Sequence, residues 1–324
     1  MKRQWENEEL VEHWTLDVEE RALLDNKTGA TRLGFAVLLK FFRREGRFPQ
    51  HKNEVPGIVI TFLATQVGVD ATAYMQYAWQ GRTIEYHRAQ IRDALGFRES
   101  SVADGEQMQQ WLITEVLPQE HQDERLREQA YAWFRRMHLE APTPDRLTRL
   151  IRSAAHTFEH QFYEATLTRL PEASQAALEA LLLTEIAPPE LRDADGEKED
   201  SVGRQEGQPS NMLQERKAQI DITLHQLRMD PGRVGLATML EEMAKLRRIR
   251  ELALPDDLFP GIARKVLAVY RNRASIEEPS RLRAHSKAKR LTYLAALCFL
   301  RAQEITDALS RSAHSHRPQN RCAR

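Results

Sequence analysis

Glycine and proline cut this sequence into lengths that suit helices. Gly46 and Pro49 stop TRLGFAVLLKFFRREG, Pro56 and Gly68 bracket IVITFLATQV, and Gly96 ends RTIEYHRAQIRDALG. Within such stretches Leu, Ala, Arg, Glu and Gln dominate, all helix formers. No run alternates apolar and polar side chains between turn signals, as a half-buried strand does. The chain therefore reads as all-α and multi-helical. Asp17, with Glu20 three positions on, is a capping-box pair opening a short helix through about Leu24. Helices are further expected near 71–78, 106–117, 122–139, 144–169 and 172–183, the last ended by Pro188 and Pro189.

Residues 190–211 change character. They are polar, rich in Gly, Asp, Glu and Ser, and nearly free of large apolar side chains, the composition of a flexible linker. Helices resume at 212–229, 234–252, 258–275 and 287–309. The last stretch, SRSAHSHRPQNRCAR, is basic and aperiodic and reads as a disordered tail at 310–324. The expected organisation is a helical unit at 1–98, a second at 99–189, the linker at 190–211, a helical domain at 212–309, and the tail.

Lys and Arg total 47, as do Asp and Glu, so net charge points to no class of partner and only local sorting of charge can. The two cysteines, Cys298 and Cys322, have no ligand-like spacing, which argues against a disulfide framework. The opening MKRQWENEEL lacks the apolar core of a signal peptide. The longest apolar run, LTYLAALCFL at 291–300, falls short of the ~20 residues of a membrane span. A cytoplasmic protein is expected.

Residues 156–160, HTFEH, spell the H-x-x-E-H pattern of one class of zinc peptidase. On a helix over 144–169, Leu147, Leu150, Ile151, Ala154, Phe158 and Phe162 gather on one side. Arg146, Arg149, Arg152, Ser153, His156 and His160 gather on the other. Three arginines along that face repel a divalent cation, and no third ligand is marked. A solvated cationic face is the plain alternative; a nucleic-acid contact is the third, with arginines on phosphates and Ser153 and the histidines adding hydrogen bonds. No metal or cofactor is expected. The stretch YAWFRRMHLEAPTPDRLTRLIRSA, helix, short Pro-containing turn and helix, has the outline of a helix-turn-helix. Thr143 suits its N-cap and Pro144 its first turn.

Two further stretches are candidates for DNA contact. In 82–96, Ile84, Ile91 and Leu95 form a buried stripe, while Arg82, Tyr86, Gln90 and Arg92 point outward and His87 and Arg88 lie near the edge. Arg and Gln are the side chains that read guanine and adenine edges in two places. In 281–290, RLRAHSKAKR holds Arg281, Arg283, Lys287, Lys289 and Arg290 with no acid. For each, a solvated helix face is the bland reading. No glycine-rich phosphate loop and no G-x-S-x-G elbow is present.

Several of these stretches together resemble one family. TLDVEERALLDNKTGATRLGFAVLLKFFRREGRFP is similar to the opening of transposases of the Tn-three family, encoded by class II replicative transposons. WQGRTIEYHRAQIRDALGFRE and APTPDRLTRLIRSA continue the resemblance. LRMDPGRVGLATMLEEMAKLRRIRELALPDDLF and RAHSKAKRLTYLAALCFLRAQEITDAL extend it beyond the linker, so that it spans about residues 14–309. The resemblance implies a helical region that binds the terminal inverted repeats of a transposon as double-stranded DNA. It also implies a family catalytic centre, a DDE triad with magnesium on an RNase-H-like domain, which lies further along a much longer chain and which nothing here matches. The likeness ends after Leu309, where the tail looks like translation in a shifted frame. The expectation is a truncated transposase that keeps end recognition and lacks catalysis. Self-association of the helices after the linker, as a homodimer, is the second reading, and a zinc peptidase through His156, Glu159 and His160 the third.

Overall fold

The computed structural model describes residues 4–186, 222–231 and 235–315. The fold is all-α and multi-helical. The one sheet among the described residues is a parallel pair of two-residue strands. Two compact units, Met1–Thr157 and Phe158–Arg324, divide the chain.

The first unit is built around α3 (Gly29–Glu45), in which every residue from Leu33 to Phe42 is buried. A helix apolar all round belongs inside a core, and α1 (Asn7–Trp14), α4 (Gly57–Val67), the 3-10 turn Ala71–Gln76 and α5 (Arg82–Leu95) pack on it or on one another. The anomaly is Lys40, in the middle of the apolar run. Its ammonium donates to both carboxylate oxygens of Glu20, at 3.1 and 3.2 Å, and to the Thr15 carbonyl at 2.8 Å. Glu20 sits on α2 (Val18–Ala22), whose capping box with Asp17 forms as the sequence predicts. Arg43 closes the network by donating to Glu20 at 2.6 Å and to Asp17 at 2.8 Å. A buried charge is tolerated when it is paired and hydrogen-bonded in this way.

Gly34 is where α3 meets the chain after the 3-10 turn. A Cβ on it would lie 2.3 Å from the Tyr77 ring. Tyr77 is itself buried, so the ring has no free space to move into. Gly34→Ala is expected to destabilise the first unit by ~1–3 kcal/mol through overpacking. Urea unfolding followed by tryptophan fluorescence reads this directly, because all five tryptophans (Trp5, Trp14, Trp79, Trp111 and Trp133) lie in this unit. With Tyr77 already replaced by Ala, the same change should have little further effect.

The rest of the first unit is α6 (Val102–Trp111), which runs into a π turn at Leu112–Val116, then α7 (Asp123–Arg136) and the first half of α8 (Pro144–Arg169). The second unit holds the remainder of α8, then α9 (Glu172–Ile186), α10 (Leu224–Arg228), α11 (Leu236–Glu251), α12 (Arg264–Ile276), α13 (Pro279–Ala284) and α14 (Lys287–Ser315). The apolar run LTYLAALCFL lies within α14 and is the unit's core, packed by α9, α11 and α12. Cys298 within it is fully buried, and burial pushes its thiol up to about 12. Rings from α8, α12 and α14 cluster there, with Phe162 and Tyr270 centroids 5.0 Å apart. A second buried ionic group, Glu242 with Lys245 and Arg301 at 2.8 and 3.0 Å, ties α11 to α14.

Most helices fall where the punctuation places them. Gly46 and Gly96 close α3 and α5 in the left-handed conformation, φ 69° at each, which glycine adopts without strain. Helices α1, α12, α13 and α14 depart from the sequence reading. Helix α1 was not anticipated, although Glu6 and Glu9 form a capping box around it. Helix α12 begins at Arg264, six residues after the expected start at 258, and the short α13 follows, with Pro279 at its start. Helix α14 runs to Ser315, past the expected end at 309. The linker at 190–211 and residues 316–324 of the tail lie outside the described residues. No helix among the described residues is long and apolar enough to cross a membrane.

Candidate nucleic-acid interface

The two stretches of the first unit singled out for DNA contact are tied together by backbone. Strand β1 (Arg98–Glu99) follows α5 and strand β2 (Leu139–Glu140) precedes α8, and they pair in parallel with Arg98 opposite Leu139. The Ala141 N–H donates to the Gly46 carbonyl at 2.9 Å, so the cap of α3 also holds the chain leading into α8. Arg92 completes the joint. It lies 2.7 Å from Glu99 and 2.7 Å from Glu140, and its side chain is only 14% exposed. The sequence reading had Arg92 pointing outward; the structure corrects this, because two carboxylates from the strand pair take up its guanidinium. Burial raises the Glu140 carboxyl above its ordinary range, against the pull of Arg92.

His87 is a second correction. It is buried, not at the edge of a contact face. Its ring stacks on Tyr77, meets Phe35 edge-on, and has Nδ1 2.8 Å from the Tyr77 hydroxyl. The signal was present in the sequence: 84, 87 and 91 share one helical face with the apolar stripe. Burial, with Lys27 nearby, lowers the His87 pKa from 6.5 to about 4. The unfolded chain therefore takes up this proton first. The stability His87 contributes is complete above pH 6.5 and drains away as pH falls from 6.5 towards about 4. The expected loss is on the order of 3 kcal/mol across that window. His87→Phe should flatten the dependence, read by tryptophan fluorescence in urea at stepped pH.

The other members of α5 are placed as follows. Arg82 and Tyr86 are exposed; Arg88 and Gln90 are half-buried. Arg88 donates to the Pro49 carbonyl at 3.3 Å, with its guanidinium 5.3 Å from the Phe48 ring centroid.

Helix α8 divides into two faces. Leu147, Ile151, Ala154, Phe158 and Phe162 are buried. Arg146, Arg149, Arg152, Ser153, His156 and His160 are all exposed. The three arginines carry no ion pair with a described carboxylate, so their donors are available to a ligand. In the HTFEH pattern, Glu159 is half-buried; burial raises the phenols of Tyr163 and Tyr270, and the Glu159 charge adds to the rise. Among the described residues no group of three or more His, Cys, Asp or Glu is arranged to hold a metal ion.

In the second unit, Arg281, Arg283 and Lys287 are exposed. Lys289 is half-buried, 5.7 Å from the Tyr293 ring centroid. Arg290 is the third correction. Its guanidinium lies 2.7 Å from Glu179 and donates to the His285 carbonyl at 3.0 Å, holding the start of α14 to α9. Arg92 and Arg290 look alike in sequence to the free arginines, because Glu140 and Glu179, which take them up, are 48 and 111 residues away.

The exposed arginine face of α8 and the N-terminal half of α5 lie within the part of the chain that has known relatives. A family model described as "Domain of unknown function (DUF4158)" matches residues 1–154. The transposase for transposon Tn2501 of Escherichia coli is 22% identical over 262 residues, covering 80% of this chain and 22% of that protein. The transposase for transposon Tn501 of Pseudomonas aeruginosa is 26% identical over 176 residues, covering 54% of this chain and 18% of that protein. The chain thus spans about a fifth of the length of these curated relatives, and over that span it is similar to transposases.

Proposed function

We propose that this chain binds double-stranded DNA at the terminal inverted repeats of a transposon, as the end-recognition part of a replicative transposase. The observation that carries the reading is the α8 face: three exposed arginines without ion pairs to described carboxylates, on a helix that follows α7 and a connection, residues 137–143, that holds β2 and Pro142. In outline, helix, connection and exposed basic helix, this is similar to motifs whose second helix enters the major groove. Arginine is suited to both tasks, gripping phosphate and guanine in two places. Arg82 and Tyr86 on the joined α5 extend the contact. The similarity to transposases supplies the DNA class. We assign these residues binding and no catalytic step.

The test is a mobility shift with the inverted-repeat duplex of the encoding element against a scrambled duplex, across a salt series. Preference for the repeat, with affinity falling steeply as salt rises, is the expected result. Equal binding to both duplexes removes end recognition, and no binding removes the reading altogether. Self-association is the second reading, favoured by exposed Leu236, Leu240 and Met243 along one side of α11. A chain that sediments as a dimer and shifts neither duplex carries that reading instead.

A further inference from the structure

A cleft of about 470 Å³ opens in the first unit, lined among others by Arg88 of α5, Arg146 of α8, Arg47, Glu99 and Glu140. Its charges are unevenly committed. Glu99 and Glu140 share Arg92, and Arg47 is paired with Glu54. Arg88 and Arg146 form no ion pair with a described carboxylate; the Glu140 carboxylate feels Arg88 from further off, and the two arginines outnumber the one negative charge that Arg92 leaves over.

Arg88 is also held in position. The Phe48 ring and the Pro49 carbonyl fix its guanidinium, and its Nε is buried with no hydrogen-bond partner among the described residues. A half-buried guanidinium with unused donors is stabilised by an anion that accepts from them. The strand pair and the Ala141–Gly46 hydrogen bond connect the two helices before any ligand arrives, so little ordering is needed on binding. Arg149 and Arg152 continue from Arg146 along the exposed face of α8. An anion in the cleft therefore lies in line with the surface assigned to DNA.

The geometry points to this cleft as the seat of one backbone phosphate of bound duplex DNA, gripped by Arg88 from α5 and Arg146 from α8 together. This rests on the duplex-binding reading above and adds a specific anchor to it. The two helices then bind as one clamp whose register on the duplex is set by a single phosphate, leaving the outer face of α8 to read bases.

The experiment uses the full chain, the inverted-repeat duplex and fluorescence anisotropy. Arg88→Gln keeps a donor for the Pro49 carbonyl and removes the charge; Arg146→Gln changes an exposed residue. Each should weaken binding about 3–10-fold and lower the salt slope by about one. Because both grip the same phosphate, the double variant should lose less than the product of the two single losses. A scan that replaces one phosphate at a time with an uncharged methylphosphonate should find a position that weakens the parent and leaves the double variant unchanged. If Arg88→Gln fails to fold by tryptophan fluorescence, Arg146→Gln and the same scan decide. Duplex binding that survives both changes undiminished, or a scan with no such position, overturns the clamp while end recognition stands. A parent chain that binds no duplex removes both. Weakening of the parent by millimolar inorganic phosphate that the double variant does not share supports the seat; equal weakening of both proteins by phosphate counts against it.

Discussion

Glu20→Met lowers the stability of the first unit by ~3–5 kcal/mol, the scale expected when one partner of a buried ion pair is removed. The loss is large because Lys40 stays where it is. Its ammonium is buried in the middle of α3 and is left with the Thr15 carbonyl alone. The Asp17 backbone N–H also loses the carboxylate that accepts from it at 2.9 Å, which weakens the capping box of α2. Adding Lys40→Met should recover most of the loss, since replacing both members of a buried pair with apolar side chains is often neutral. Arg43, half-exposed, then turns to water or to Asp17. Urea unfolding of both variants by tryptophan fluorescence measures the effect. A double variant no more stable than Glu20→Met would mean that Lys40 is indifferent to its carboxylate.

The second large effect is on binding. Replacing Arg149 and Arg152 together with Ala should weaken inverted-repeat binding about 10–100-fold at moderate salt and lower the salt slope by up to ~2. Both side chains are exposed and without described carboxylate partners, so unfolding by urea should be unchanged within ~0.5 kcal/mol. Loss on repeat and scrambled duplex alike marks the two as phosphate contacts. Greater loss on the repeat marks base contact. If the double variant keeps both the parent's affinity and its slope, the face of α8 is only a solvated one.

Local sequence determined the helices. Glycine at a helix end needs only its own backbone freedom, a capping box spans four residues, and helical periodicity spans a few turns, so α3, α4, α5 and α8 were legible from short windows. The division of α8 into a buried face and an arginine face was legible for the same reason. Helix α1 was missed because its capping box is made by Glu6 and Glu9, outside the usual Ser, Thr and Asp signal.

What only the tertiary structure decided is which charged residues are free. Lys40 and Arg43 lie one helical turn apart on α3, yet one is buried and the other half-exposed. Arg88 and Arg92 are likewise neighbours on α5, and the strand pair takes up Arg92 with Glu99 and Glu140 while leaving Arg88 in the cleft with no ion pair to a described carboxylate. Arg290 is taken by Glu179 of a different helix. Periodicity gives the direction in which a side chain leaves its helix. It carries no information on what another helix, far away in sequence, places there, and a guanidinium is available to DNA only when the fold has put no carboxylate within reach of it.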